Sequence, residues 1–193
     1  IGWARILCFV FSRGIWLFVT NPDLEFSLWL ALFSGFESVF TAISGRYFSF
    51  TLLTLFIIYF LYSRKLKIYL FIIISLILGD QIGAYLKDFF SEFRPCFEYY
   101  QYFLDNNLSL KQCGERPTGM PSNHSLNFFL FTTLAFLFTK DKVILIFMTL
   151  ISTLVALSRV FLFKHLLSQV VIGASIGIIL GCLLYTSPSP RDA

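Results

Sequence analysis

The sequence predicts an all-α protein, a polytopic membrane bundle of about six transmembrane helices, and three observations carry that. The 193 residues are 57% hydrophobic and only 13% charged. A soluble domain uses about 25% charged residues to cover its surface, and this chain has half that share. The mean hydropathy is +0.77, and the apolar residues gather in runs approaching the roughly 20 needed to cross a bilayer.

In chain order the runs are 26–43, 47–62, 68–85, 125–138, 143–157 and 170–181. Several fall short of a full span, so their boundaries are soft. A seventh apolar stretch, 3–19, is broken by Arg5 and Arg13. If that stretch is the first span, 26–43 lies on the membrane surface, a reading that Glu37 keeps open. The crossing of 26–43 is preferred.

Both ends carry expectations. The chain begins at Ile1 rather than Met, as an internal fragment does. Residues 182–192, CLLYTSPSPRD, resemble the in-frame translation of a sequencing-library adapter; the alternative is a natural Ser/Pro-rich tail. The expected organisation is one integral membrane domain over 1–181, cut short at both ends, and a non-native tail over 182–193. Cys182, Tyr185 and Arg191 then carry no functional information.

The net charge of +4 is modest. With no basic stretch interleaved with exposed aromatics, it suits loops near anionic lipid rather than nucleic acid. Of the four cysteines, Cys8, Cys96 and Cys113 precede the tail. They make no CxxC or Cys/His metal spacing. Cys96 and Cys113 share one polar loop. They are a disulfide candidate if that loop faces an oxidising compartment, and two free thiols otherwise.

Orientation follows from the short basic loops. SRKLK (63–67) joins the second and third runs, and TKDK (139–142) joins the fourth and fifth. Both lie on one side, and Lys/Arg-rich loops mark the cytoplasmic side. The loop 87–124 and the loop around Arg159 and His165 then share the opposite face.

Three clusters gather there. In KDFFSEFRP, Lys87 and Arg94 are seven residues apart. On one helix that is two turns, about 10 Å along the axis. The expectation is a helix that ends on Arg94 as Pro95 follows. In MPSNHS, Pro121, Ser122 and Asn123 are helix-start residues, and a helix N-terminus binds anions. In SRVFLFKHLLSQ, Arg159 and His165 are six apart, with Gln169 four further on. Singly, each cluster has a structural explanation: snorkelling cations, a cap, a lone histidine. Together they place three cations, a helix N-terminus and both histidines of the chain on one face. Phosphoryl transfer suits them: cations and N–H groups stabilise the phosphoryl oxygens. One imidazole acts as nucleophile and the other as acid. No metal ligand set is visible, so no cofactor is expected.

The joint pattern Lys-x6-Arg-Pro, Pro-Ser-x-His and Ser-Arg-x5-His resembles the type-2 phosphatidic acid phosphatase superfamily, related to the vanadium haloperoxidases, over about 87–173. The resemblance implies a six-helix membrane bundle with an extracytoplasmic active site. It implies that His165 attacks phosphorus to form a phosphohistidine and that His124 protonates the leaving group, then activates water. It implies too that Lys87, Arg94 and Arg159 hold the phosphate, helped by Ser122 and the backbone at Asn123. The implied partners are a membrane lipid phosphate and the bilayer: polyprenyl pyrophosphate first, then phosphatidic acid or phosphatidylglycerophosphate, then lipid A. The implied location is a bacterial inner membrane, with the site facing outward.

Two positions depart from the family pattern. Asn123 stands where the family usually has Gly, and Gln169 where it commonly has Asp. An amide oxygen still accepts an N–H bond, so Gln169 is expected to orient His165 without supplying charge. Asp80, seven residues before Lys87, is a partner for it or a structural group within the bundle. The alternatives to a phosphatase are a lipid phosphate transferase and a catalytically silent lipid-binding protein. A channel or transporter would want more mid-span polar residues than Asp80 and Glu37.

Overall fold

The structure is a computed structural model that describes residues 22–32, 34–105 and 113–186. All the regular structure among them is helical: α1 (Pro22–Ala31), a 3-10 turn (Ser34–Phe36), α2 (Glu37–Ile43), α3 (Arg46–Tyr62), α4 (Leu66–Phe90), α5 (Pro95–Glu98), α6 (Tyr100–Asp105), α7 (Asn123–Thr139), α8 (Lys142–Phe161) and α9 (Leu167–Thr186). Among the described residues three helices, starting at Leu66, Lys142 and Leu167, are long and apolar enough to cross a membrane, and a fourth if α2 and α3 count as one bent span. At 17 residues, α7 is about 25 Å long and is the helix the others enclose. Exposed large apolar side chains, among them Ile58, Ile74, Leu150 and Ile179, are the surface a bilayer requires.

Five of the six expected runs are single helices. The run 26–43 is not. It breaks between α1 and α2, where Gly35 lowers helix propensity by about 1 kcal/mol. Glu37 then opens α2, where a carboxylate complements the helix dipole. A second break at Ser44 and Gly45 bends α2 against α3 by 52°. The stretch 3–19 and residues 187–193 lie outside the described residues. Cys182 to Thr186 continue α9.

The core is built on α7, against which α4, α8 and α9 pack. Leu126, Leu130 and Leu134, one turn apart, are fully buried. Lipid chains are as apolar as leucine, so close backbone approach and interhelical hydrogen bonds hold such helices together. On α9, a methyl added at Gly173 would lie 2.6 Å from the Ser122 carbonyl oxygen, and one at Gly177 would run into that of Leu126. On α4, Gly79 and Gly83 abut Asn127 and Asn123. Polar ties reinforce the contacts: Ser125 Oγ donates to the Val170 carbonyl at 2.8 Å, the Thr132 and Ser152 hydroxyls bond at 2.8 Å, and Tyr69 donates to the Leu53 carbonyl at 2.9 Å.

Helix ends follow local rules. Ser91 and Lys140 adopt left-handed backbone after α4 and α7. Asp141 caps α8 by accepting from the Val143 N–H at 2.8 Å.

Gly177→Ala tests this packing. A Cβ there meets backbone on α7, which has no room to yield, so the expected loss is about 1–3 kcal/mol, read as a lower melting temperature in detergent. Gly114→Ala is the control, because nothing lies within 4 Å of its added methyl.

Candidate active site

The ends of α4, α7, α8 and α9 away from the basic loops carry the expected residues. A cleft of about 540 Å³ opens among the helices, and Lys87, Arg94, His124, Arg159 and His165 all line it. Further down, Leu52, Leu53, Ile73, Leu76, Phe131 and Met148 line it. The cleft is cationic at one end and apolar along its length.

The turn after α8 explains the six-residue spacing of Arg159 and His165. Phe163 takes left-handed backbone and is buried against Phe103, with ring centroids 4.5 Å apart. That turns the chain back, and the His165 N–H bonds to the Arg159 carbonyl at 3.2 Å. His165 is buried, and its Nδ1 lies 2.7 Å from the Gly119 carbonyl oxygen. A carbonyl oxygen only accepts, so Nδ1 carries the proton and Nε2 keeps its lone pair. Burial pushes the His165 imidazole well below its ordinary pKa; Arg159, Arg94 and Lys87 push the same way, against the Gly119 bond. His165, in the loop between α8 and α9, is therefore neutral.

Gln169 does not bond to His165, which corrects the expectation for it. Its Oε1 accepts from the Leu166 N–H at 3.1 Å, and its Nε2 donates to Glu92 Oε2 at 3.0 Å and to the Phe93 carbonyl at 3.4 Å. The amide is used up at the start of α9, where an orphan N–H needs an acceptor. Orientation of His165 falls to Gly119 instead. The Gly119 N–H donates to the Glu92 carbonyl at 2.7 Å, and an added methyl at Gly119 would collide with the Phe93 carbonyl. Gln169 thus braces the strap that presents the Gly119 carbonyl.

The expected helix through Lys87 and Arg94 is also corrected. α4 ends at Phe90, and Arg94 follows in extended backbone as the N-cap of α5. Proline disfavours helical angles in the residue before it, so Pro95 opens α5 rather than closing α4. Both cations still reach the cleft. Arg94 Nε donates to the Thr118 carbonyl at 3.5 Å, which leaves its terminal nitrogens for the site. Arg159 is buried and bonds to Ser44 Oγ, while its Nε has no partner.

Ser122 is the N-cap of α7 but makes no side-chain cap bond, and its buried hydroxyl has no partner. Asn123 Nδ2 donates to Asp80 Oδ1 at 2.8 Å, so Asp80 is tied to α7. Cys96 and Cys113 are joined by a disulfide, Cα atoms 5.6 Å apart. The Cys96 N–H donates to the Phe163 carbonyl at 3.0 Å. That one bridge links the Arg94 segment, the approach to Gly119 and the His165 turn. Among the described residues, no group of three or more His, Cys, Asp or Glu gathers as a metal ligand set.

Sequence reasoning missed Ser44, Glu92 and Gly119. Ser44 and Gly45 between apolar runs signalled a break. Glu92 and Gly119 act through backbone or through Gln169, which no spacing displays.

A cation-ringed histidine pair above an apolar cleft, on a membrane bundle, defines a class of integral membrane phosphatase. Residues 65–192 match the family model of the PAP2 superfamily, and the chain belongs to that family. Two solved structures share the fold. One is the PAP2-type transmembrane phosphatidylglycerolphosphate phosphatase of Bacillus subtilis: 22% identity, TM-score 0.66, 94% of this chain and 90% of that one covered. The other is LpxE of Aquifex aeolicus: 22% identity, TM-score 0.64, 90% of this chain and all of that one covered. No curated protein matches the chain.

Two outcomes are expected. By ¹⁵N NMR, His165 titrates below the ordinary imidazole value of about 6.5; inorganic phosphate raises that value, because its negative charge offsets the three cations. Gln169→Asp sets a second carboxylate facing Glu92 and lowers kcat by roughly tenfold or more. Adding Glu92→Gln to it recovers part of the loss, as a double-mutant cycle reads.

Proposed function

We propose that this protein is a lipid-phosphate phosphatase that works through a phosphohistidine. The carrying observation is His165: its Nδ1–H is committed to the Gly119 carbonyl, and it lines a cleft shared with Lys87, Arg94, His124 and Arg159. The unpartnered Arg159 Nε and Ser122 hydroxyl support an anion there, since buried donors are rarely left without acceptors. The apolar length of the cleft supports a lipid rather than a soluble phosphate ester.

In the first step His165 Nε2 attacks phosphorus and the bond to the lipid oxygen breaks. His124, protonated once the negative charge of the bound phosphate offsets the surrounding cations, gives that proton to the departing oxygen. In the second step His124 takes a proton from water, the hydroxide attacks phosphorus, and the bond to His165 breaks to release phosphate. Lys87, Arg94 and Arg159 stabilise the charge on the phosphoryl oxygens throughout; Ser122 and the Asn123 N–H assist at the α7 N-terminus. The reaction needs no metal, because fixed cations do that electrostatic work.

The site faces away from the cytoplasm in this proposal. The basic loops after α3 and α7 lie at the opposite ends of the helices, and such loops stay cytoplasmic. The Cys96–Cys113 disulfide suits an oxidising compartment. A bacterial inner membrane meets both conditions.

The test is phosphate release from phosphatidic acid and polyprenyl pyrophosphate in detergent with excess EDTA. Release that survives EDTA and is lost in His165→Ala is the expected result. In His124→Ala given polyprenyl pyrophosphate, whose phosphate leaving group departs without an acid, labelled phosphoenzyme is expected to accumulate, because its hydrolysis lacks a base. Equal, negligible release from folded wild type and His165→Ala would overturn the proposal.

A further inference from the structure

Asp80 is a carboxylate within a membrane-spanning helix, yet it is exposed and lines the cleft. Such a group persists where it faces a cavity and has partners. Its partners are amides of α7: Asn123 at 2.8 Å and Asn127 at 3.5 Å, both on Oδ1. These amides fix the carboxylate and leave Oδ2 to accept from elsewhere. Gln81, the next residue of α4, and Ser49 of α3 line the same cleft.

The level of this polar collar is informative. Lys87 lies two turns further along α4, about 10 Å away. Leu76 and Ile73, which also line the cleft, lie one and two turns in the other direction. Along α4 the cleft therefore runs from cation to hydrogen-bonding collar to hydrocarbon surface. An amphiphile held by its phosphate at Lys87 sets the atoms linking phosphate to chain against Asp80.

We propose that Asp80 selects lipid phosphates whose linker between phosphate and hydrocarbon carries a hydrogen-bond donor, a hydroxyl or an amine. The proposal rests on the lipid-phosphatase reading and adds the substrate class. A purely hydrocarbon linker, such as that of a polyprenyl phosphate, offers Asp80 nothing, and a desolvated acceptor without a donor is penalised. Asp80 is a specificity residue here; as a mere tie to α7 it would affect every substrate alike.

The experiment compares kcat/KM in detergent for 1-acylglycerol 3-phosphate and its 2-O-methyl ether, which differ in the single donor, with dodecyl phosphate as a linker-free reference. Wild type is expected to prefer the free hydroxyl by at least about tenfold, and Asp80→Ala to bring the ratio close to one. Asp80→Asn keeps the side chain's shape against Asn123 and retains part of the preference. Equal turnover of the pair by wild type, which needs no variant to fold, overturns the inference. So does a preference that survives intact in folded Asp80→Ala. Hydrolysis of none of the three lipids by an enzyme that still releases phosphate from phosphatidic acid or polyprenyl pyrophosphate overturns this inference alone; no release from any of the five overturns the phosphatase reading with it.

Discussion

The contact between α7 and α9 is the constraint on which the site depends. Gly177 leaves no room for a side chain beside the Leu126 carbonyl, nor Gly173 beside that of Ser122. At that separation the Ser122 N–H reaches the Gln169 carbonyl at 3.1 Å and the Ser125 hydroxyl reaches Val170. The start of α7 and the start of α9 are thereby one rigid unit. That unit carries Ser122, Asn123 and His124 on one side and Gln169 on the other. A larger residue in the ladder would separate the two histidines without touching either.

On this platform the proposed nucleophile is oriented by backbone. A carbonyl oxygen fixes the tautomer and direction of His165 as well as a side chain would, but it brings no net charge. Three cations close to the imidazole oppose its protonation, so the form that the proposed attack requires is the resting form. In the proposed mechanism the positive charge that develops on the ring after attack has no carboxylate against it among the described residues. It has the transferred phosphoryl group, whose negative oxygens lie among the same cations. Under that proposal the substrate completes the charge balance, no Asp is needed at position 169, and Gln169 is not the mark of a silent protein.

How much of this was legible in the sequence follows from how each residue acts. Lys87, Arg94, His124, Arg159 and His165 act through their own side chains, at spacings that one turn or one helix end fixes, and all five line the cleft. The helical spans were legible because lipid imposes long apolar runs. Arg94 was placed on the wrong element, since seven residues fit two helical turns and also fit a helix end followed by an extended strap. The partner of Gln169 was not legible, because the acceptor that holds His165 is the carbonyl of Gly119, 46 residues from it in the chain. Ser44 was invisible for a related reason. Its bond to Arg159 spans 115 positions and depends on the bend between α2 and α3.

That bend connects the phosphate end of the cleft to its lipid-facing wall. α3 contributes Ser49, Leu52 and Leu53 to the lining, and Ser44, at the break before α3, holds the Arg159 guanidinium. A hydroxyl is a weak partner for a buried cation compared with a carboxylate, so Arg159 is restrained without being neutralised and keeps an unpaired N–H for an anion. Had an acidic residue stood at position 44, the guanidinium would be satisfied before any substrate arrived. The pairing of a strong cation with a neutral tether is what leaves charge available where the proposed chemistry requires it, and it places that charge at the mouth of an apolar groove, where only an amphiphile satisfies both ends at once.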